Sequence, residues 1–150
     1  MKLEFTNQKQ FLARIRKLAK ERRITPQIML QEIILDDLID RISNSPYQNN
    51  LVLKGGFLLA SLIGTDTRST RDIDTSIVGL PVTEDKMKSV FREICDIELP
   101  DDIIKLSIVK IDEIREDLGK MMSILVTGFI SVHKSILHEL MLRLIYQLEM

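Results

Sequence analysis

The chain has 150 residues, 45% of them hydrophobic, and its 21 basic and 22 acidic residues give a formal charge of −1. These values suit one globular domain and exclude a histone-like polycation and an acidic disordered chain, while the single cysteine, Cys95, excludes a disulfide scaffold and a cysteine-rich zinc site. The N-terminus carries no apolar signal region and no run of about 18 apolar residues occurs, so we expect a cytoplasmic protein with no membrane segment.

Two helices are predicted before residue 47. Residues 7–23 carry apolar side chains at helical spacing opposite a basic face. Thr25 and Pro26 form a typical N-cap and first helical position, and the helix they begin fades at 43–46. Residues 1–46 are therefore expected to form an N-terminal helical segment.

The middle of the chain alternates predicted strands and helices. In chain order the pattern predicts a strand at 51–53, a helix at 57–63, a strand at 72–78, a helix from 83 to about 95 and a strand at 103–111. This order favours an α/β domain preceded by a helical cap.

Two features near the centre indicate chemistry. Gly55 and Gly56 stand between a predicted strand and a predicted helix, where backbone N–H groups and the helix N-terminus suit a triphosphate. Asp72 and Asp74 are two residues apart on a predicted strand, so their carboxylates should share one face. Like charges so close need a cation, and Mg²⁺ prefers carboxylate and phosphate oxygens. Each feature alone is common on a solvated surface; their combination favours a site.

These residues carry a family resemblance. The pattern of Lys-Gly-Gly, an apolar helix and then Arg-x-Thr-x-Asp-Ile-Asp resembles the AbiE nucleotidyltransferase toxins of type IV toxin–antitoxin pairs, within the polymerase-β-like superfamily. The matching positions are Lys54, Gly55, Gly56, Arg68, Thr70, Asp72 and Asp74. The resemblance covers about residues 8 to 117.

The resemblance implies a truncated polymerase-β-like core, a short mixed sheet with helices, at residues 47–120. It implies an abortive-infection (phage-defence) enzyme that uses Mg²⁺ and an NTP, modifies tRNA or a protein, and is opposed by a cognate antitoxin. Asp72 and Asp74 would hold the metal, and the two glycines would cradle the phosphates. Arg68 and Thr70 would support the phosphates or orient the aspartates. Lys54 would contact phosphate or simply end a strand.

Two departures from the family pattern stand out. Phe57 replaces the hydroxyl residue that many superfamily members have after the two glycines. The third carboxylate, which the resemblance places in a motif like Asp-Ile-Ser-x-Gly-Asp on a later strand, is missing. Asp112 and Glu113, on the predicted third strand, are the nearby candidates to replace it. Without a third carboxylate we expect little or no transfer activity, and the alternative is a non-catalytic nucleotide- or RNA-binding remnant.

The last thirty residues differ from the rest. Residues 121–150 contain four charged residues and four of the seven methionines. We hypothesise that this segment is read in a shifted frame from about codon 119, because the shifted codons of residues 144–150 can encode Asp-Ile-Ser-x-Gly-Asp. Residues 121–150 are then an anomalous tail, either poorly ordered or helical over 135–149.

The predicted first helix offers a further partner surface. Residues 9–23 contain seven basic residues and one acidic residue. Such a face either contacts RNA phosphates by charge or is simply solvated.

Overall fold

The computed structural model describes residues 8–54, 72–100, 104–116, 119–130 and 135–146. Within them the elements in chain order are α1 (Gln8–Glu21), α2 (Pro26–Ser43), β1 (Leu51–Lys54), β2 (Asp72–Ile77), α3 (Glu84–Asp96), β3 (Ile104–Glu116), β4 (Gly119–Ile130) and β5 (Ser135–Tyr146). The three helices and five strands make a mixed α/β fold. None of the helices in these ranges is long and apolar enough to cross a membrane.

The helix ends follow from local capping. Thr25 and Thr83 are the N-caps of α2 and α3, and each side-chain oxygen accepts a hydrogen bond from the backbone N–H three residues on. Glu84 and Asp85 follow Thr83 in the first turn of α3, where negative charge is favourable. The three predicted helices in these regions are therefore confirmed, while the one predicted at 57–63 lies outside the described residues.

The five strands form one mixed sheet in the order β1-β2-β5-β4-β3. β2 and β5 are parallel, and the other three neighbouring pairs are antiparallel. The predicted strands at 51–53, 72–78 and 103–111 correspond to β1, β2 and β3. Both β4 and β5 lie almost entirely in the segment of changed composition, and both pair with the rest of the sheet.

The helix proposed for residues 135–149 is wrong, because Ser135–Tyr146 is a strand. Leucines and methionines at helical spacing suggested a helix, since both residue types have high helix propensity. In the fold, however, this segment lies between β2 and β4 and is hydrogen-bonded along both edges. Pairing on both sides outweighs the local preference.

One face of the sheet is covered by the helices. α2 packs across β5 and reaches β3, α3 packs on β3, and α1 packs on α2. The core between these layers consists of buried apolar side chains, including Phe11 and Ile15 of α1, Ile34 and Leu38 of α2, and Ile124 of β4. Burial of apolar surface of this kind is the main favourable contribution to folding.

A buried arginine joins three elements of this core. Arg41 is 2% exposed and pairs with Asp37 one helical turn earlier, at 2.8 Å between Nε and Oδ2. Its guanidinium also donates to the carbonyl oxygens of Cys95, Ile97 and Ile104. A buried guanidinium must satisfy its donors in this way, so Arg41 ties α2 to the end of α3 and the start of β3.

Sequence reasoning did not identify this arginine. The signal was nevertheless present, because Ile34, Asp37, Leu38 and Arg41 follow the i, i+3, i+4, i+7 spacing of one helix face. Two oppositely charged residues on the apolar face of a helix can form a buried ion pair. They need not mean that the apolar face ends there.

Candidate functional site

The sequence-predicted site residues fall partly within the described structure. Lys54 is the last residue of β1, and Asp72 and Asp74 are the first and third residues of β2. The strand on which the two aspartates were placed is therefore confirmed. The other four predicted residues lie outside the described residues; they are Gly55, Gly56, Arg68 and Thr70.

A cross-strand row runs through Asp74 from one edge of the sheet to the other. Lys54 is in register with Asp74, and Asp74 with Arg143. The row continues from Arg143 to Ser123 and from Ser123 to Asp112. The backbone thus brings Lys54 and Asp74 to adjacent positions and places a second basic residue on the other side of Asp74.

The position of this row relative to the core follows from its neighbours. Leu51 and its register partner Ile77 are both buried against the helices. Successive strand residues alternate between the two faces, so the positions of Val52 and Asp74 lie on the opposite face. Val52 is 44% exposed, and the side chain of Asp112, at the far end of the row, is 49% exposed. The two aspartates therefore occupy the sheet face that points away from the helical core.

Two acidic positions at this place are a donor set that would suit a Mg²⁺ ion. Mg²⁺ is commonly held by one or two carboxylates together with substrate phosphates. Two carboxylates at alternate positions of one strand meet that need. On the neighbouring strand β5, the residues in register with Asp72 and Asp74 are Met141 and Arg143, and neither supplies an oxygen ligand. The register therefore offers two acidic positions here, not three.

Asp112 and Glu113, predicted as replacements for the third carboxylate, do not reach this place. β3 is the edge strand, separated from β2 by β5 and β4. At about 4.8 Å per strand, Asp74 and Asp112 lie roughly 14 Å apart along their shared row. Asp112 instead pairs with Lys110, at 3.0 Å between Oδ2 and Nζ. Two strands lie between these candidates and the aspartates of β2, so neither candidate completes the acidic site.

Sequence reasoning missed a better-placed acidic residue, Glu139 on β5. Glu139 precedes Met141, the register partner of Asp72, by two residues and therefore occupies the same sheet face. Strand geometry puts its Cα roughly 8 Å from that of Asp72. The helix predicted for this segment hid the relationship, because only strand pairing brings the two residues together.

A groove between α3 and β3 lies away from this place. It has a volume of about 300 Å³ and includes Lys88, Arg92, Cys95 and Lys110 in its lining. Burial raises the pKa of the Cys95 thiol to about 11, and the nearby positive charge of Arg41 only partly opposes this effect. A thiol with so high a pKa is a poor nucleophile at neutral pH, and Cys95 is a buried residue of the hydrophobic core.

Comparison with protein families gives a match that covers more than half of the chain. The family described as "Nucleotidyl transferase AbiEii toxin, Type IV TA system" matches residues 37–131. That range begins within α2 and ends just after β4, so it includes both β1 and β2 and the segment between them. Comparison with curated proteins gives no match.

Proposed function

Because the chain belongs to the nucleotidyl transferase AbiEii toxin family of type IV toxin–antitoxin systems, we propose that it transfers a nucleotide from an NTP to a hydroxyl group of RNA, with tRNA as the first acceptor to test, or of a protein. The observation that carries this proposal is the placement of Asp72 and Asp74 at alternate positions of β2, on the face away from the core, beside Lys54.

The proposed roles follow from residue chemistry. Asp72 and Asp74 would hold Mg²⁺, which would supply positive charge to the triphosphate. The backbone N–H groups of Gly55 and Gly56 bind the phosphates, since glycine permits a close backbone approach. Lys54, the last residue of β1, supplies positive charge to the same phosphates. Arg68 and Thr70 support the phosphates or orient the aspartates.

The transfer step forms one bond and breaks one. The acceptor hydroxyl oxygen bonds to the α-phosphorus of the NTP, and the bond from that phosphorus to the pyrophosphate oxygen breaks. The hydroxyl proton must pass to a base, a role that a positioned carboxylate performs well. Glu139 is the acidic residue of β5 closest to the two aspartates. It lies two residues before Met141, the register partner of Asp72, and so is not directly beside Asp72. We therefore propose slow transfer.

A second function is favoured by the same register. With Met141 and Arg143 beside the two aspartates, the chain is suited to bind a nucleotide or RNA without catalysing transfer. A general base contributes about 10²- to 10⁴-fold to a rate. A chain whose base is displaced can therefore bind a nucleotide without transferring it. The two functions differ in whether pyrophosphate is released.

The test is a paired measurement of binding and transfer. Affinity of the purified chain for each of the four NTPs is measured with and without Mg²⁺, and transfer is followed as label incorporated into tRNA or total protein. Asp72→Asn and Asp74→Asn should each weaken Mg²⁺-dependent NTP binding at least tenfold. Asp112→Asn is the matched control, since it removes a carboxylate from the same row at roughly 14 Å, and it should change nothing.

The outcomes of this test distinguish the two proposed functions. Mg²⁺-dependent binding with slow label transfer supports the enzyme, whereas binding without transfer supports the non-catalytic alternative. If the Asp72→Asn and Asp74→Asn variants bind Mg²⁺-NTP as well as the parent chain, both functions are wrong at this site.

Membership of a type IV toxin family implies an antitoxin partner. We propose that the protein acts in the cytoplasm, in defence against phage, under control of that antitoxin. Expression of the chain with and without a neighbouring candidate gene tests this proposal through growth. Growth arrest that depends on Asp72 and is relieved by the second gene is the expected result.

A further inference from the structure

We propose that the exposed side of α1 is a docking surface for the phosphate backbone of double-helical RNA. We name this surface the basic face; its residues are Lys9, Arg14, Arg16, Lys17 and Lys20. All five are exposed, and Glu21 is the one acidic residue of the helix. The proposal deepens the proposed function by locating where an RNA acceptor binds, but the contact itself needs neither the NTP nor the metal.

The charge of the chain is unevenly distributed. Residues 8–24 contain seven basic residues and one acidic residue, a net charge of +6, and the remaining 14 basic and 21 acidic residues sum to −7. A nearly neutral protein therefore carries a concentrated positive segment at one helix. Such a concentration attracts polyanions and releases their counterions on binding.

The basic face is continuous along the helix. With 100° per residue, Lys9, Arg16 and Lys20 fall within about 40° of one another around the axis. From Lys9 to Lys20 the rise is about 16 Å at 1.5 Å per residue, a span long enough to meet several phosphates of one duplex. The residue between them on this stripe is Ala13, which is also exposed and leaves the long side chains free to reach outwards.

The next observation concerns the internal ion pairs and hydrogen bonds of α1 in the described structure. Arg22, just beyond α1, forms an ion pair with Glu32 of α2. Within the described part of the chain, Lys9, Arg16 and Lys20 form no ion pair and no hydrogen bond. A solvated charge gains little from folding, so the concentration of charge on this face is not explained by stability.

Burial of the other side of α1 excludes an anionic membrane as the partner. A helix that binds at a lipid surface inserts its apolar side. Here Phe11, Ile15 and Ala19 on that side are at most 1% exposed, because they pack in the core. These three side chains are therefore not free to insert into a membrane.

An acidic protein partner is less suited to this face than a nucleic acid. Protein interfaces have cores depleted in charged residues and enriched in aromatic anchors. The large exposed hydrophobic residues of the described structure are Val52, Val78 and Val109, none of which lies on α1. RNA is favoured over DNA because its minor groove is wide and shallow, so a helix that stays packed on its domain can reach phosphates and 2′-hydroxyls across it.

The experiment measures binding of a fluorescent RNA hairpin of about 16 base pairs without NTP or Mg²⁺. The test variant reverses three charges of the basic face with Lys9→Glu, Arg16→Glu and Lys20→Glu. The matched control reverses three exposed charges on α3 and β3, with Lys88→Glu, Arg92→Glu and Lys105→Glu. The test variant should lose at least tenfold in affinity, and its slope of log affinity against log salt should fall by two to three, since each lost phosphate contact removes about 0.7 to 0.9.

Three outcomes would overturn the proposal: equal losses in the test and control variants, displacement of the RNA by polyglutamate at equal charge concentration, or DNA duplex binding as tight as RNA binding. Circular dichroism checks the fold, and Lys9→Gln, Arg16→Gln and Lys20→Gln provide a milder second variant. Because the hairpin assay contains neither NTP nor Mg²⁺, RNA binding by a chain that shows no label transfer separates a failure of the proposed transfer from a failure of the docking surface.

Discussion

Asp74 of β2 and Arg143 of β5 are in register across the parallel pair of strands. Opposite charges at directly neighbouring strand positions attract each other, with a contribution of about 0.2–1 kcal/mol. A metal ion at Asp74 must therefore compete with a basic neighbour. This relationship distinguishes the sheet from one in which a further carboxylate stands beside the two aspartates.

The first prediction concerns Met141, the register partner of Asp72. Met141→Asp adds an acidic position directly beside the existing pair, so the affinity for Mg²⁺ should rise at least tenfold and transfer, if limited by the missing base, should accelerate. Isothermal titration with Mg²⁺ in the presence of NTP measures the first effect. Lys110→Asp on the edge strand β3 is the matched control and should leave the affinity unchanged. Unaltered binding in Met141→Asp would contradict the register-based account.

The second prediction concerns the stability contribution of Arg41. Arg41→Ala leaves Asp37 buried without its partner and removes the donor from three carbonyl oxygens. The free energy of unfolding should fall by about 3–5 kcal/mol. Urea unfolding followed by circular dichroism measures this loss. Arg92→Ala on the exposed side of α3 should stay within about 0.5 kcal/mol of the parent chain; a similar loss in both variants would show that burial of Arg41 is not the cause.

The third prediction concerns the close approach of α2 to β4. A Cβ atom added at Gly128 would lie 2.8 Å from Cδ1 and 2.9 Å from Cγ1 of Ile34, a fully buried side chain. Gly128→Ala should therefore lower the free energy of unfolding by about 1–3 kcal/mol through overpacking. Ile34→Val removes the nearest methyl group, so the double variant should lose less than the sum of the two single changes. Strict additivity would argue against this contact.

The fourth prediction is a pH dependence that arises from Cys95. Its pKa is raised from 9.0 to about 11 by burial, so the folded chain keeps the thiol proton where the unfolded chain has lost it. The stabilisation is complete below pH 9 and disappears as the pH rises towards 11, an effect of about 2–3 kcal/mol. The fall in urea midpoint between pH 8.5 and 10.5 should be smaller in Cys95→Ala. Parallel curves for the two chains would contradict a protected thiol.

The fifth prediction concerns the reading frame. If the frame is shifted near codon 119, the nucleotide sequence should contain an open frame that encodes Asp-Ile-Ser-x-Gly-Asp over codons 144–150. In the present fold, residues 144 and 145 pair with Thr75 and Ser76, directly after Asp74. A restored frame would thus bring an aspartate to the neighbourhood of the two aspartates of β2. Sequencing the locus and expressing the restored chain decide the matter; a closed alternative frame ends the hypothesis.

Much of the helical layer could be predicted from the sequence. Phe11, Ile15 and Ala19 recur at helical spacing, and Thr25 and Thr83 are capping residues that act within three residues of the chain. Such signals are local, so a single sequence contains them. The helix at residues 7–23 could be predicted for this reason, and it corresponds to α1.

The sheet was less predictable because its order depends on distant pairing. β4 and β5 are apolar over most of their length, and periodicity does not separate a buried strand from a buried helix. Asp112 and Asp74 share a row, yet the sequence contains no sign that two strands lie between them. Asp72 and Asp74 were predicted to share a strand, and that strand, β2, is confirmed. A third acidic residue beside them could not be identified from the sequence, because its position depends on the order of the strands.

The position of β5 in the sheet has a consequence for synthesis. β5 is the last strand of the described chain to be made, yet it occupies the centre of the order β1-β2-β5-β4-β3. Until it leaves the ribosome, β2 has no partner on its inner edge and β4 pairs only with β3. Folding of the sheet must therefore follow translation of residue 146, since domains assemble only when their long-range partners are present. A nascent chain stalled before that point lacks the strand that joins β2 to β4, so it cannot form the continuous five-stranded sheet.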